Sequence, residues 1–224
     1  MICLYCHAQL RHHIDIFSLF QKPSVICQTC EKKLLPDRIS PTCKRCANKV
    51  EEAVERCESC LFLSQSFKHL PNRIYTVFDY NKEVKQLFHR YKFVNDAAMS
   101  AVIAQFIKVD FKKYDLVIPI PISNKRLKER TYNQVSLVLD RLNVSYSTIL
   151  KTNKVKRQSE LTKAERLREQ QIFFVHESDT ERVNEANILL VDDIYTTGIT
   201  VHQAIQELYA HNCKNIDLLT FSRS

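Results

Sequence analysis

The chain has 224 residues, 45% of them hydrophobic and 26% charged, with a formal net charge of +8. That is apolar material for one ordinary domain plus a small one, and it excludes a disordered polyelectrolyte. The longest N-terminal apolar stretch, Ile14 to Phe20, is broken by Asp15 and Ser18 and lacks the form of a signal sequence. No later stretch approaches spanning length, so no transmembrane segment is expected. The protein is placed in the cytoplasm, with any association at the inner face of the membrane coming through partners.

Eight of the nine cysteines form four Cys-x-x-Cys pairs: Cys3/Cys6, Cys27/Cys30, Cys43/Cys46 and Cys57/Cys60. A reducing compartment argues against disulfides. A redox role needs only one such pair, whereas a segment of about sixty residues with few large apolar side chains needs metal to fold. The expectation is two structural zinc ions in a zinc-ribbon-like region over residues 1–66, followed by an α/β domain over 67–224. Sequential grouping, Cys3/Cys6/Cys27/Cys30 and Cys43/Cys46/Cys57/Cys60, is simpler than a cross-brace. His7, His12 and His13 are alternative ligands, though they read more readily as surface residues. Cys213 stands alone and reads as a small buried hydrophobe. Eight thiolates and two Zn²⁺ lower the formal charge from +8 to +4, which weakens whole-chain charge as an argument for nucleic acid.

After the cysteines, Ile74 to Tyr80 reads as a strand, and Val84, Leu87, Phe88 and Tyr91 recur at helical spacing. Asn95 and Asp96 are expected to cap a helix carrying Met99, Val102, Ile103 and Phe106. Asp115 to Ile120 reads as a buried strand entering a loop stiffened by Pro119 and Pro121. Tyr132 to Leu142 is amphipathic, and Ser145 to Leu150 reads as a strand. Ile188 to Val191 is a buried strand, then come helix Val201 to Ala210 and strand Ile216 to Phe221. Strands separated by helices imply a parallel sheet covered on both faces, with ligands at the carboxyl ends of its strands.

One such end carries Asp192-Asp193-Ile194-Tyr195-Thr196-Thr197-Gly198-Ile199-Thr200. Adjacent carboxylates there can accept hydrogen bonds from vicinal ribose hydroxyls. The Thr-Thr-Gly-x-Thr turn opens a helix whose N–H groups and dipole suit a phosphate. Gly198 is the only glycine in the chain, where average usage predicts about sixteen. A position retained as glycine needs either positive φ or a backbone approach to a ligand close enough to exclude Cβ.

Charge concentrates between Ser123 and Gln170, with 12 Lys+Arg against 5 Asp+Glu. Lys125, Arg126, Lys128 and Arg130 follow the two prolines and suit a pyrophosphate. Thr152 to Gln170, with Arg157, Gln158, Arg166 and Arg168, suits a lid that closes over a substrate. Lys82, Lys85, Arg90 and Lys92 add a basic helix, interleaved with Tyr91, Phe93 and Tyr132, which suits single-stranded DNA. The spacing of Tyr91 and Tyr132 nevertheless favours core packing.

Val191-Asp192-Asp193 with Thr196-Thr197-Gly198-Ile199-Thr200 resembles the phosphoribosyl pyrophosphate motif of type I phosphoribosyltransferases. Three further features are similar to the ComF family of late-competence proteins, in its ComFC branch: the four cysteine pairs, Leu87 to Phe93, and Ile118-Pro119-Ile120-Pro121 followed by Arg126, Arg130, Tyr132, Asn133 and Gln134. Thr131 departs from that pattern, standing where the family usually has glycine. The resemblance covers nearly the whole chain. It implies a type I phosphoribosyltransferase fold and a site for phosphoribosyl pyrophosphate with magnesium. Asp192 and Asp193 would be the catalytic carboxylates, and Asp192, Asp193, Thr196, Thr197, Gly198, Ile199, Thr200, Arg126, Arg130 and Arg166 would bind the ligand. It also implies handling of incoming single-stranded DNA with a ComFA-like helicase partner. The alternative is an active phosphoribosyltransferase joining ribose 5-phosphate to a base or other nucleophile. A zinc-ribbon adaptor with a vestigial loop is weaker, because Asp192, Asp193, Thr197 and Gly198 are intact.

Overall fold

The computed structural model describes residues 1–10, 23–35, 41–123, 127–129, 132–153 and 172–223. A four-stranded parallel sheet in the order β1-β6-β5-β2 forms its centre, from β1 (Ile74–Asp79), β2 (Leu116–Pro119), β5 (Asn187–Tyr195) and β6 (Asn215–Arg223). Residues two apart along a strand share a face, and β5 sends its apolar residues both ways. Leu189 and Val191 join one core with α3 (Lys82–Phe93), α4 (Met99–Gln105) and α5 (Gln134–Arg141). Ile188 and Leu190 join the other with α7 (Ile199–Ala210). All four of these β5 residues are fully buried, each contributing about 1.5–3 kcal/mol on removal from water.

The cysteine-rich segment forms two copies of one module, each a tight knuckle followed by a short helix whose N-cap is a cysteine: Cys27 for α1 (Gln28–Leu34) and Cys57 for α2 (Glu58–Ser66). In each, a left-handed residue closes the knuckle: His7 (φ 63°), bonded to the Cys3 carbonyl, and Ala47 (φ 57°), bonded to that of Cys43. The modules lie on opposite faces of the sheet. Cys3, Ile26, Cys30 and Leu34 belong to the α3 side, where Arg90 donates to the Tyr5 carbonyl at 2.6 Å. Leu63 of α2 belongs to the α7 side, where Gln206 donates to the His69 carbonyl at 2.8 Å.

Two expectations need correction. The strand read over Ser145 to Leu150 begins only at Leu150: β3 (Leu150–Thr152) pairs antiparallel with β4 (Phe173–Val175), outside the main sheet. Upstream, Ser147 donates a single bond to Val117 at the sheet edge, and only from Leu150 does the chain meet a full partner strand. Asn95 does not cap α4. With φ 55° it ends α3, while Asp96 accepts from the Ala98 N–H and binds Arg90. The described residues also include α6 (Thr180–Val183), a helical turn at 127–129 and the 3₁₀ turns Phe111–Lys113 and Glu177–Asp179. Among the described residues no helix is long and apolar enough to cross a membrane.

Candidate functional site

β5 continues past Val191 to Tyr195, so both acids stand on the strand itself. The Asp192 carboxylate accepts the Asp193 N–H at 2.9 Å, and that of Asp193 accepts the Ile194 N–H at 2.6 Å. Sequence reasoning missed the partner of Asp193: its second oxygen lies 2.6 Å from Lys92 Nζ at the end of α3, with the two side chains only 20% and 12% exposed. The signal lay in the Leu87 to Phe93 stretch, where Lys92 was read as part of a basic face. Lys92 and Arg90 are both committed inside the protein, Arg90 to Asp96 and to the carbonyls of Leu4 and Tyr5. The four-residue basic face thus reduces to Lys82 and Lys85. Tyr91 is fully buried and donates to the Gln134 carbonyl at 2.6 Å, and Tyr132 donates to the Tyr91 carbonyl. As their spacing favoured, these two rings belong to the core, while Phe93 is 71% exposed.

Thr196, Thr197 and Gly198 form the bend between β5 and α7. Gly198 caps the helix at φ 78°, a left-handed conformation. A Cβ there would collide with the Tyr195 hydroxyl, lie 2.6 Å from the ring Cζ and 3.0 Å from Leu63 Cδ1. The positive-φ reading of this glycine is met, and the atoms that crowd a Cβ here belong to Tyr195 and to the second module's helix rather than to a ligand. His202, one turn along α7, supports the loop through Nδ1, 2.8 Å from the Gly198 carbonyl. Burial holds His202 down to about 4, so the neutral ring donates this bond at neutral pH. At the neighbouring strand end, Asn133 caps α5 by accepting from Val135 and Ser136, and donates to the Ile120 carbonyl that follows β2. Arg126, Arg130, Thr131, Arg166 and the rest of the expected lid from residue 154 on lie outside the described residues.

The eight paired cysteines gather in the sequential grouping, each set of four sulfurs lying within 4.8 Å of one another. The Cys6–Cys27 and Cys46–Cys57 separations are 3.7 Å and Cys43–Cys60 is 3.9 Å. Four thiolates around a tetrahedral zinc with bonds of about 2.3 Å stand about 3.8 Å apart, so both sets fit that ion. Burial pushes the Cys3 thiol up, but the N–H groups of Cys6, Cys27 and Tyr5 outweigh it and hold Cys3 at about 6. Burial likewise opposes the N–H groups of Cys46, Cys57 and Arg45, which hold Cys43 at about 7. Each cluster therefore presents a thiolate-forming sulfur at neutral pH, as a metal ligand requires. Burial pushes Cys213 up to about 12, in keeping with an inert core thiol.

A phosphoribosyl transferase domain family matches residues 131–223, which include the whole Asp192 to Thr200 segment. Competence protein ComFC of Bacillus subtilis (strain 168) is 34% identical over 91% of this chain and 87% of its own length. Competence protein ComFC of Streptococcus pneumoniae (strain ATCC BAA-255 / R6) is 29% identical over 99% of both chains. Competence protein F of Haemophilus influenzae (strain ATCC 51907 / DSM 11121 / KW20 / Rd) is 22% identical over 99% of this chain and 96% of its own. With two four-cysteine clusters able to hold metal on either side of a phosphoribosyltransferase-type sheet, this chain belongs to the ComFC family of competence proteins.

Proposed function

We propose that the bend between β5 and α7 binds phosphoribosyl pyrophosphate with Mg²⁺, and that the protein handles incoming single-stranded DNA alongside a ComFA-like helicase. One observation carries the ligand reading: two strand-borne carboxylates run directly into a left-handed glycine that opens a twelve-residue helix. In this arrangement Asp192 and Asp193 meet the ribose hydroxyls, while Thr196 to Thr200 surround the 5-phosphate with N–H and hydroxyl donors. Magnesium is held chiefly by the ligand's own phosphates, as its preference for octahedral oxygen coordination requires. Arg126, Arg130 and Arg166 are the proposed pyrophosphate contacts. In this reading each four-cysteine cluster holds one structural zinc.

The DNA reading draws support from a second basic surface. Lys44, Arg45, Arg56 and Arg73, with one acid, Glu55, line an open groove of about 500 Å³ that also contains Tyr75. Cationic groups tracking a backbone beside an aromatic face suit a single strand without sequence preference. The groove lies at the start of β1, the opposite end of the parallel sheet from the phosphate bend. Fluorescence anisotropy with a labelled oligothymidylate tests this reading. The expected result is binding that weakens steeply with salt and persists when phosphoribosyl pyrophosphate and Mg²⁺ are added. Displacement would move the track onto the phosphate bend, and absence of binding even at low ionic strength would assign DNA to the partners. Pyrophosphate release over candidate bases tests the alternative of phosphoribosyl transfer.

A further inference from the structure

The two four-cysteine modules share one backbone plan, so their positions can be matched outward from the cysteines. One and two residues after the first cysteine stand Leu4 and Tyr5 in the first module, Lys44 and Arg45 in the second. Just before the third cysteine stand Val25 and Ile26 in the first, Glu55 and Arg56 in the second. The geometry matches as well: the Cys27 N–H donates to Cys3 Sγ and the Cys57 N–H to Cys43 Sγ, both at 3.3 Å. All four positions of the first module are apolar and pack into the core on the α3 side. The same four positions of the second are charged, and all of them line the open groove with Arg73 and Tyr75.

The two loops are consequently held in different ways. Cys3 and Cys30 belong to the main core together with Ile26, whereas Cys43, Cys46, Cys57 and Cys60 form a small cluster of their own against Val50, Val54 and Ile74. Beyond that cluster the second loop has the Arg45 bond to the Pro71 carbonyl at 3.0 Å and the Lys44–Glu55 pair, whose side chains are both exposed and which therefore adds little. The helix that follows is anchored separately, Leu63 being buried in the α7-side core with Phe62 and Phe67 against it. Residues 41–57 thus depend on metal binding for their shape, while α2 has apolar burial of its own. We propose that the two centres divide the work: the first holds the fold, and the second holds the wall of the groove, so that emptying the second releases a single strand from a domain that stays folded. This rests on the readings of the cysteines as zinc ligands and of the groove as the DNA track.

Zinc content, thermal melting and anisotropy of a labelled oligothymidylate, measured on full-length variants, test this. Wild type is expected to hold two zinc ions and to bind the strand. Cys43→Ser/Cys46→Ser should hold one, keep a cooperative melt close to that of wild type, and lose about 10–100-fold in affinity at low salt. Its plot of log affinity against log salt should flatten by about 1.4, since the loop carries two net positive charges and each phosphate contact on a single strand is worth about 0.7. An emptied cluster also sheds the two net negative charges of a four-thiolate zinc, which on charge alone would tighten binding, so a loss reports the geometry of the wall. Cys3→Ser/Cys6→Ser should also hold one zinc, but melt well below wild type and bind the strand normally while folded. Lys44→Leu/Arg56→Ile, which installs the first module's residues at the matched positions, should keep both zinc ions and lose the same affinity. A wild type without zinc or without oligothymidylate binding would overturn the underlying reading and this proposal together, and undiminished binding by Lys44→Leu/Arg56→Ile would overturn the groove with it. Undiminished binding by Cys43→Ser/Cys46→Ser, its global unfolding, or an equal loss of binding in folded Cys3→Ser/Cys6→Ser would overturn the division of work alone.

Discussion

Replacing Gly198 by alanine adds one carbon, and two separable costs follow from the structure. The first is conformational: φ 78° is left-handed, which costs an L residue about 1–2 kcal/mol. The second is steric: the new Cβ meets the Tyr195 ring and Leu63, and overpacking of this kind costs about 1–3 kcal/mol. Their sum, about 2–5 kcal/mol, lowers the melting temperature of a chain of this length by roughly 4–20 °C. A double-mutant cycle separates the two parts. Tyr195→Leu removes the ring atoms nearest the new carbon but leaves φ untouched. Gly198→Ala should then cost about 1–3 kcal/mol less in the Tyr195→Leu background than in wild type. Equilibrium denaturation of the four proteins measures the coupling. A Gly198→Ala protein as stable as wild type would refute the reasoning, and zero coupling would refute its steric half.

Lys92→Met strips Asp193 of its cation in a site where both side chains are largely buried; it should cost about 3 kcal/mol in denaturant unfolding, and Lys92→Met/Asp193→Asn should recover part of this. His202 is held down to about 4 by burial, against about 6.5 in an unfolded chain. The unfolded state then takes up a proton that the folded state refuses. The stability that His202 contributes is complete above about pH 6.5 and is lost as pH falls towards 4, a loss of about 2 kcal/mol at pH 5. Melting curves of wild type and His202→Gln between pH 7.5 and 5 check this, since the difference between the two proteins should shift in the glutamine variant's favour as pH falls. An unchanged difference would mean that the ring is not buried neutral. Reversing the charges of Arg56 and Arg73 by substitution with glutamate should reduce oligothymidylate binding and flatten its salt dependence, while leaving the response to phosphoribosyl pyrophosphate intact.

The parallel sheet was legible because Ile188 to Val191 is an uninterrupted apolar run and the strand-like segments alternate with helical ones, a pattern that calls for parallel pairing. The cysteine grouping was legible because paired knuckles leave few arrangements. Short-range periodicity could not reveal β4, which has only three residues and gains its identity from β3. Nor could it reveal that Lys92 turns inward to Asp193, since a lysine at the end of an amphipathic helix reads as solvated unless its tertiary neighbour is known. Gly198 was singled out correctly, but the atoms that crowd it belong to Tyr195 and to a helix of the cysteine-rich region.

Calorimetric titration with phosphoribosyl pyrophosphate in the presence of Mg²⁺ tests the central claim most directly. The account predicts one saturable site per chain in the wild type, lost in Asp192→Ala and in Asp193→Ala while both variants keep their folded circular dichroism. Absence of binding to the wild type, or undiminished binding to both variants, would contradict it.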